Sequence, residues 1–270
     1  VKELIDDITK KQVLGRCVAY LAVIEWQKRS LPHCHLVTFN SPEDRPATDV
    51  DIDKFVSAEI PDPTKNEESQ RLYEYVTTYM YHHRCDDTTR RESCRVPRKG
   101  TFSCPRHPKQ GEQEDTTKPC VCYVCSKHFP HDFASKSQLI EGGYPIYRRR
   151  IMNGRKFLSS RGQEIDNRWI VPYNPYLLLK YNCHINVEIT SSLKSIKYLF
   201  KYLHKGLDMA RLNVSVVNNV QVYNEFEHFV DCRYLSAGEA VWKLFDFDMF
   251  YQSHTVYSLP VHLENYQNVI

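Results

Sequence analysis

The sequence contains no run of about 18 apolar residues, the length that a membrane-spanning helix needs. It also lacks an excess of either charge, since 36 Lys and Arg are offset by 33 Asp and Glu, leaving a net charge of +3. A uniformly basic surface is thereby excluded, and contact with nucleic acid must come from local patches. Residues 1–11 form a charged helical pattern rather than a signal peptide, so we expect a soluble intracellular protein with no membrane partner.

Two further absences concern the whole protein. The sequence has neither a starting Met nor the Gly-x-x-x-x-Gly-Lys-Ser/Thr phosphate loop. We therefore expect a piece of a longer protein, and no ATP-driven unwinding is claimed for this piece. Its 41% hydrophobic and 12% aromatic residues suffice for a core in one large domain or two small ones.

Cysteine is concentrated in one polar stretch. Of ten cysteines, six lie in residues 82–131, beside several histidines. Disulfides in a secreted protein are one interpretation, but in an intracellular chain this density favours a metal. The charged and turn-forming residues of this stretch could hardly form a core without one. We therefore predict a zinc-binding insert. The six residues are Cys85, Cys94, Cys104, Cys120, Cys122 and Cys125.

Hydrophobic periodicity predicts an α+β fold, with an antiparallel sheet and helices on one face. A first helix near residues 4–8 precedes two strands at 17–24 and 35–39, which should form a hairpin. A loop is expected at 40–63. Further helices are predicted at 67–81, 174–180, 191–207 and 236–247, and a further strand at 184–189. The last helix should pack one stripe against the core, made of Ala237, Ala240, Val241 and Leu244.

The sharpest local pattern is Glu-Trp-Gln-Lys-Arg-Ser-Leu-Pro-His-Cys-His, which starts at Glu25. Residues two apart on a strand share a face, so His33 and His35 should project side by side, with Cys34 turned into the core. The intervening turn brings Glu25 and Gln27 beside them. Such a site suits Mg²⁺ or Mn²⁺ acting as a Lewis acid on a phosphate. The alternative is an ordinary exposed strand face.

A second pattern lies on the helix predicted at 191–207. Tyr198 and Tyr202 are four residues apart and share a face, while Lys201 and Lys205 form a neighbouring basic stripe. In-line attack by a tyrosine hydroxyl on a DNA phosphate gives a 5′-phosphotyrosine and a free 3′-OH. The lysines and a metal would stabilise the charge that develops. The alternative is that both tyrosines are packing residues of an amphipathic helix.

These segments, in this order and spacing, resemble the Rep-like nicking domain of Helitron transposases, also called the Helitron helicase-like N-terminal domain. The resemblance covers nearly the whole chain. It is carried by Glu-x-Gln-Lys-Arg-x-Leu-Pro-His-x-His (25–35), Cys-Ser-Lys-His-Phe-Pro (125–130), Gly-Tyr-Pro-Ile-Tyr-Arg-Arg-Arg (143–150), Asn-Arg-Trp-Ile-Val-Pro-Tyr-Asn-Pro (167–175) and Lys-Tyr-Leu-Phe-Lys-Tyr-Leu-His-Lys-Gly (197–206). It implies a ferredoxin-like core of the His-hydrophobic-His (HUH) endonuclease superfamily, in two parts at 1–81 and 132–270 around an insert at 82–131.

The resemblance also implies site residues. His33 and His35 would bind the catalytic metal, with Glu25 preferred over Gln27 as third ligand, and Tyr198 and Tyr202 would be the nucleophiles. The family pattern further implies a structural zinc site with a competing ligand, Cys122. Cys94, Cys104 and His107 would either form a second, incomplete site or bind no metal. The implied structural zinc ligands are His82, Cys85, Cys120 and Cys125.

The implied partners are single-stranded DNA, as transposon ends and target, and a superfamily 1 helicase domain on the same polypeptide, in the nucleus. Two basic groups are predicted either to contact the DNA backbone or to form ordinary solvated surface. Those groups are Arg90, Arg91, Arg95, Arg98 and Lys99, and residues 147–150 with Arg155 and Lys156.

The sequence thus predicts a metal-dependent single-stranded DNA endonuclease and strand transferase of rolling-circle type. Two alternatives remain open. One is a zinc-dependent DNA-binding module without chemistry, from a decayed copy. The other is a rolling-circle replication initiator of a plasmid or virus.

Overall fold

A computed structural model describes residues 1–26, 31–85, 94–97, 123–151, 155–190, 215–217, 220–222 and 237–255. The chain folds into two compact units, Val1–Arg45 with Leu193–Ile270, and Pro46–Ser192. The expected boundaries near residues 82 and 131 both fall inside the second unit, and the division into core and insert stays a prediction. The predicted helix at 191–207, with Tyr198, Tyr202 and Lys205, lies outside the described residues.

The first unit contains a three-stranded antiparallel sheet made of β1 (Cys17–Trp26), β2 (Pro32–Asn40) and β9 (Phe250–Gln252). β1 is the central strand, with β2 on one side and β9 on the other. β1 and β2 form the predicted hairpin, with an irregularity between Cys17 and Ala19. A two-stranded ladder of β7 (Ser215–Val217) and β8 (Val220–Val222) belongs to the same unit.

Two described helices accompany this sheet, α1 (Lys2–Thr9) and α5 (Ala237–Leu244). Ile5 and Ile8 of α1 are buried, as the periodicity predicted. The stripe predicted for α5 is wrong, because Val241 and Leu244 are exposed. The Trp242 ring instead meets the Trp26 ring edge to face, with 5.6 Å between centroids. The contact between the two tryptophan rings therefore determines which side of α5 faces the sheet.

The second unit contains α2 (Asp49–Phe55), α3 (Glu67–Tyr79) and α4 (Pro175–Tyr181). α3 and α4 confirm the prediction, whereas α2 lies in the segment expected to be a loop. α2 begins with a capping box, in which Thr48 and Asp51 each accept the other's backbone N–H. None of the described helices is long and apolar enough to cross a membrane.

The described strands of the second unit form two antiparallel pairs, β3 (Arg95–Pro97) with β4 (Tyr123–Cys125), and β5 (Phe157–Leu158) with β6 (Glu164–Ile165). The strand predicted at 184–189 is wrong, because this segment joins none of the described sheets. Its alternate residues Ile185, Val187 and Ile189 are nevertheless half-buried. The alternation thus reflects one side packed on the core rather than strand pairing.

Candidate metal centres

The first candidate centre lies on one face of the β1–β2 hairpin. Glu25 pairs directly with His33, and Val23 pairs with His35, so all four side chains project to the same side. The rings of His33 and His35 meet edge to face with 4.7 Å between centroids. His35 Nε2 lies 3.1 Å from Glu25 Oε2. The structure therefore brings these three predicted ligands together.

The opposite face of the hairpin is packed inward. Cys34 pairs with Ile24, which is 4% exposed, and burial raises the pKa of the Cys34 thiol. The predicted alternation, with histidines on one side and Cys34 on the other, is confirmed. Glu25 and His35 keep 31% and 17% of their side-chain surface accessible, so a ligand can reach them.

The donors of this face fit a divalent cation. Two neighbouring ligands of an octahedral Mg²⁺, each at about 2.1 Å, are about 3 Å apart. The 3.1 Å between Glu25 and His35 thus suits shared ligation as well as a direct hydrogen bond. Imidazole nitrogen with carboxylate oxygen is a donor set that Mn²⁺ also accepts. Gln27, the alternative third ligand, lies outside the described residues.

The second candidate centre is a Cys/His cluster in the second unit. His82, Cys85, Cys94 and Cys125 bring their ligand atoms within 4.8 Å of one another. Within the described ranges, no other group of three or more His, Cys, Asp or Glu meets this criterion, so a metal at His33 and His35 stays a prediction. Three of the four predicted zinc ligands are in the cluster.

The fourth ligand position of the cluster is occupied by Cys94. For this residue the sequence predicted either a second, incomplete site or no ligand role. Cys120, the ligand expected there, lies outside the described residues, as do Cys104, His107 and Cys122. Cys94 directly precedes β3, and Arg95 pairs with Cys125 at the end of β4. The β3–β4 pair therefore brings two thiols together from neighbouring strand ends.

The geometry of His82 fits zinc. Its Nδ1 lies 2.6 Å from the carbonyl oxygen of His83, and its Nε2 lies 3.5 Å from Cys125 Sγ. A proton on Nδ1 that is donated to the carbonyl directs Nε2 at the cysteines, the usual arrangement for a metal-binding histidine. Three cysteines and one histidine are a common structural zinc set.

In the absence of a cation, the thiols of this cluster are hard to ionise. Burial raises the pKa of Cys85, and hydrogen bonds with Cys125 and Cys94 raise it further. Burial likewise raises the pKa of Cys94. A bound Zn²⁺ offsets this cost by binding the sulfurs as thiolates.

The cluster belongs to the main core of the second unit. Cys85, Cys94 and Cys125 are 5–8% exposed and pack in the hydrophobic cluster that contains Trp169. The His82 N–H donates to the Trp169 carbonyl at 2.8 Å. A metal here would join the chain after α3 to the β3–β4 strand pair and, through His82, to the Trp169 segment.

Arg149 has a structural role that the sequence did not indicate. The residue is 3% exposed, and its Nη1 donates to the carbonyls of Asn167 at 2.6 Å and Ile170 at 2.7 Å. Burial lowers its pKa to about 10, so the guanidinium remains charged at neutral pH. The sequence predicted that this residue either contacts DNA or lies on an exposed edge. Its burial contradicts both predictions.

The other cations of the predicted 147–156 patch form ion pairs within the second unit. Arg150, for example, donates to both carboxylate oxygens of Glu59, at 2.8 and 2.5 Å. Each of these cations therefore has a carboxylate within ion-pair distance. The remaining pairs are Arg148 with Asp53, Arg155 with Asp62 and Lys156 with Glu164. Arg90, Arg91, Arg98 and Lys99 lie outside the described residues, as does the Arg95 side chain.

Comparison with known families agrees with the sequence resemblance. Residues 1–38 match the family model described as Helitron helicase-like domain at N-terminus. The matched residues contain α1, β1 and most of β2, including Glu25, His33 and His35. The resemblance is confirmed over this segment, which relates the chain to Helitron-type transposases. No curated protein gives a significant match.

Proposed function

We propose that this chain is the nicking domain of a Helitron-type rolling-circle transposase, a metal-dependent endonuclease and strand transferase for single-stranded DNA. The observation that carries the proposal is the placement of His33, His35 and Glu25 on one accessible face of a hairpin inside the family-matched segment. The α+β content and antiparallel sheet are compatible with a ferredoxin-like HUH core.

In this proposal His33, His35 and Glu25 hold Mg²⁺ or Mn²⁺, which would supply Lewis-acid polarisation of the scissile phosphate. The 3.1 Å between His35 Nε2 and Glu25 Oε2 would place these two donors at the distance of neighbouring metal ligands. The hydroxyl oxygen of Tyr198 or Tyr202 attacks phosphorus in line, the bond to the 3′ oxygen breaks, and a free 3′-OH leaves. Lys205 would stabilise charge on the phosphate. The second tyrosine would serve transfer to another DNA end.

The Cys/His cluster is assigned a structural Zn²⁺ held by His82, Cys85, Cys94 and Cys125. Its support is the donor set, the burial of the thiols and the orientation of His82. A helicase domain on the same polypeptide, transposon-end and target DNA as partners, and a nuclear location belong to the same proposal. Their support is the resemblance to the Helitron family.

A zinc-dependent DNA-binding module without chemistry is the second candidate. It is favoured by the Cys/His cluster, whose four ligand atoms are gathered more tightly than those of the histidine face. This candidate expects DNA affinity that does not depend on His35 or on metal at the histidine face.

A cleavage assay separates the two candidates. The purified chain is incubated with labelled single-stranded oligonucleotides carrying candidate transposon ends, with Mn²⁺ or with EDTA. We expect cleavage in Mn²⁺ only, loss of cleavage in His35→Ala, and unchanged cleavage in His254→Ala, an exposed histidine of the same unit. Cleavage that survives His35→Ala would contradict the proposal, as would a folded, zinc-loaded chain that binds the DNA without cutting it.

A further inference from the structure

Phe250 lies in the same cross-strand row as His35. Val23 of the central strand pairs with His35 on one side and with Phe250 on the other. Directly paired residues project to the same face of a sheet, so the Phe250 ring lies on the face that carries Glu25 and His33. Neighbouring strands are about 4.8 Å apart, which places the Phe250 backbone about 10 Å from that of His35.

This ring is accessible although the sheet is well packed on its other face. Phe250 is 40% exposed, whereas Ala22 and Ile24, which point the opposite way, are 0% and 4% exposed. Phe39 of β2 lies on the same face as His35, four residues further along, and is 53% exposed. The face with the histidines therefore presents aromatic rings to solvent.

The surroundings of Phe250 are apolar on one side and polar on the other. Val23 pairs directly with Phe250, and Leu21, which pairs with Gln252, lies beside it on the same face and is 6% exposed. His35 lies in the same row beyond Val23, Glu25 lies one row further along, and Gln252 is exposed. A ring placed between apolar residues and the polar groups of the histidine face suits a ligand that is aromatic on one side and anionic on another. Single-stranded nucleic acids combine these properties, and proteins bind them by stacking successive bases on aromatic side chains of open sheets.

We propose that Phe250 is a base-stacking residue that holds one nucleotide of single-stranded DNA beside the phosphate at the His33/His35 face. This inference rests on the proposed function, because it assumes that the histidine face acts on DNA. Phe250 is a positioning residue that contributes to binding of the bases and leaves the chemistry to other groups. Its contribution should be independent of base identity, since every base has a stacking face.

The test compares two fluorescent probes of equal length, about 15 nucleotides, an oligo(dT) and an abasic strand with the same phosphates. Affinity is measured by fluorescence anisotropy with zinc-loaded protein in buffer without Mn²⁺ or Mg²⁺, so that the Cys/His cluster keeps its metal and cleavage is not supported. Stacking makes the wild type prefer oligo(dT). In Phe250→Ala this preference should fall roughly tenfold while affinity for the abasic strand stays the same, and Phe250→Trp should retain it.

Phe39→Ala is the matched control, because it removes a more exposed ring (53% against 40%) from the same face, about 13 Å further along β2. It should change the preference by less than about twofold, within the range of a neutral surface substitution. An unchanged preference in Phe250→Ala would overturn the inference, as would an equal loss in Phe39→Ala. A change of oligomeric state in Phe250→Ala without a change in preference would assign the ring to a protein contact instead.

The two proposals fail separately in this design. A wild-type chain that cuts DNA, with a Phe250→Ala variant of unchanged preference, would refute stacking alone. A wild-type chain that prefers oligo(dT) through Phe250 but never cuts would refute the nuclease alone. A wild-type chain that binds neither probe and does not cut DNA in Mn²⁺ would refute both.

Discussion

Replacing Cys94 by Ser should release the metal of the Cys/His cluster, whereas replacing Cys120 by Ser should leave it bound. The reason is that His82, Cys85, Cys94 and Cys125 already supply four ligand atoms within 4.8 Å, the number that a tetrahedral structural zinc requires. The family pattern alone would predict the reverse order of sensitivity. The two variants therefore test whether the ligand set of the structure, with Cys94, or that of the family pattern, with Cys120, is correct.

The expected magnitude follows from typical zinc affinities. Structural sites bind Zn²⁺ with about 10–16 kcal/mol at neutral pH, so one of four ligands contributes about 3 kcal/mol, or roughly a hundredfold in affinity. The loss should also lower the stability of the second unit, since Cys94 is 8% exposed in its main core. Metal that binds only the folded state stabilises that state in proportion to its affinity.

Zinc content per chain, competition with a chromogenic chelator, and urea unfolding together measure these effects. Trp169 provides an intrinsic probe, because its ring lies 6.4 Å from that of His82 and the residue is 4% exposed. Wild type and Cys120→Ser should each retain one zinc, while Cys94→Ser should lose it at chelator concentrations that the others resist. Full zinc retention in Cys94→Ser, with loss in Cys120→Ser, would refute the assigned ligand set.

Two further predictions concern the second unit. Arg149→Met should lower the free energy of unfolding by about 3 kcal/mol or more, because it leaves the buried carbonyls of Asn167 and Ile170 without their donor. Urea titration measures this, with Lys127→Met at an exposed turn as the control within about 0.5 kcal/mol; a loss below about 1 kcal/mol in Arg149→Met would contradict the assigned role. Burial lowers the pKa of His131 from 6.5 to about 4, so between these values the unfolded chain binds a proton that the folded chain does not. Stability should therefore fall as pH falls through this range, by up to about 1.4 kcal/mol per pH unit, and the fall should be shallower in His131→Gln. Equal slopes in the two proteins would show that His131 does not titrate this way.

The histidine face could be predicted from sequence because its geometry is local. Two strands joined by a short turn fix their own register, and alternation along β2 then places His33 and His35 on one face. The same reasoning placed Cys34 on the opposite face, where it is half-buried. Only the residues between Glu25 and His35 were needed for that prediction.

Cys94 and Arg149 could not be predicted, for two different physical reasons. Cys94 reaches the cluster through pairing with a strand about thirty residues further along, and a three-residue strand leaves almost no periodic pattern. Arg149 is charged, and charged residues are seldom fully buried unless they are paired. Its partners are backbone carbonyls, which no sequence pattern identifies.

The most direct test of the proposed nuclease is identification of its covalent intermediate. The chain is incubated with single-stranded DNA and Mn²⁺, the protein–DNA adduct is isolated on a denaturing gel, and the modified peptide is mapped by mass spectrometry. The account predicts a phosphotyrosine at Tyr198 or Tyr202 that is absent from the Tyr198→Phe, Tyr202→Phe double variant and from wild type in EDTA. Cleavage without an adduct, or an adduct that persists in the double variant, would contradict it.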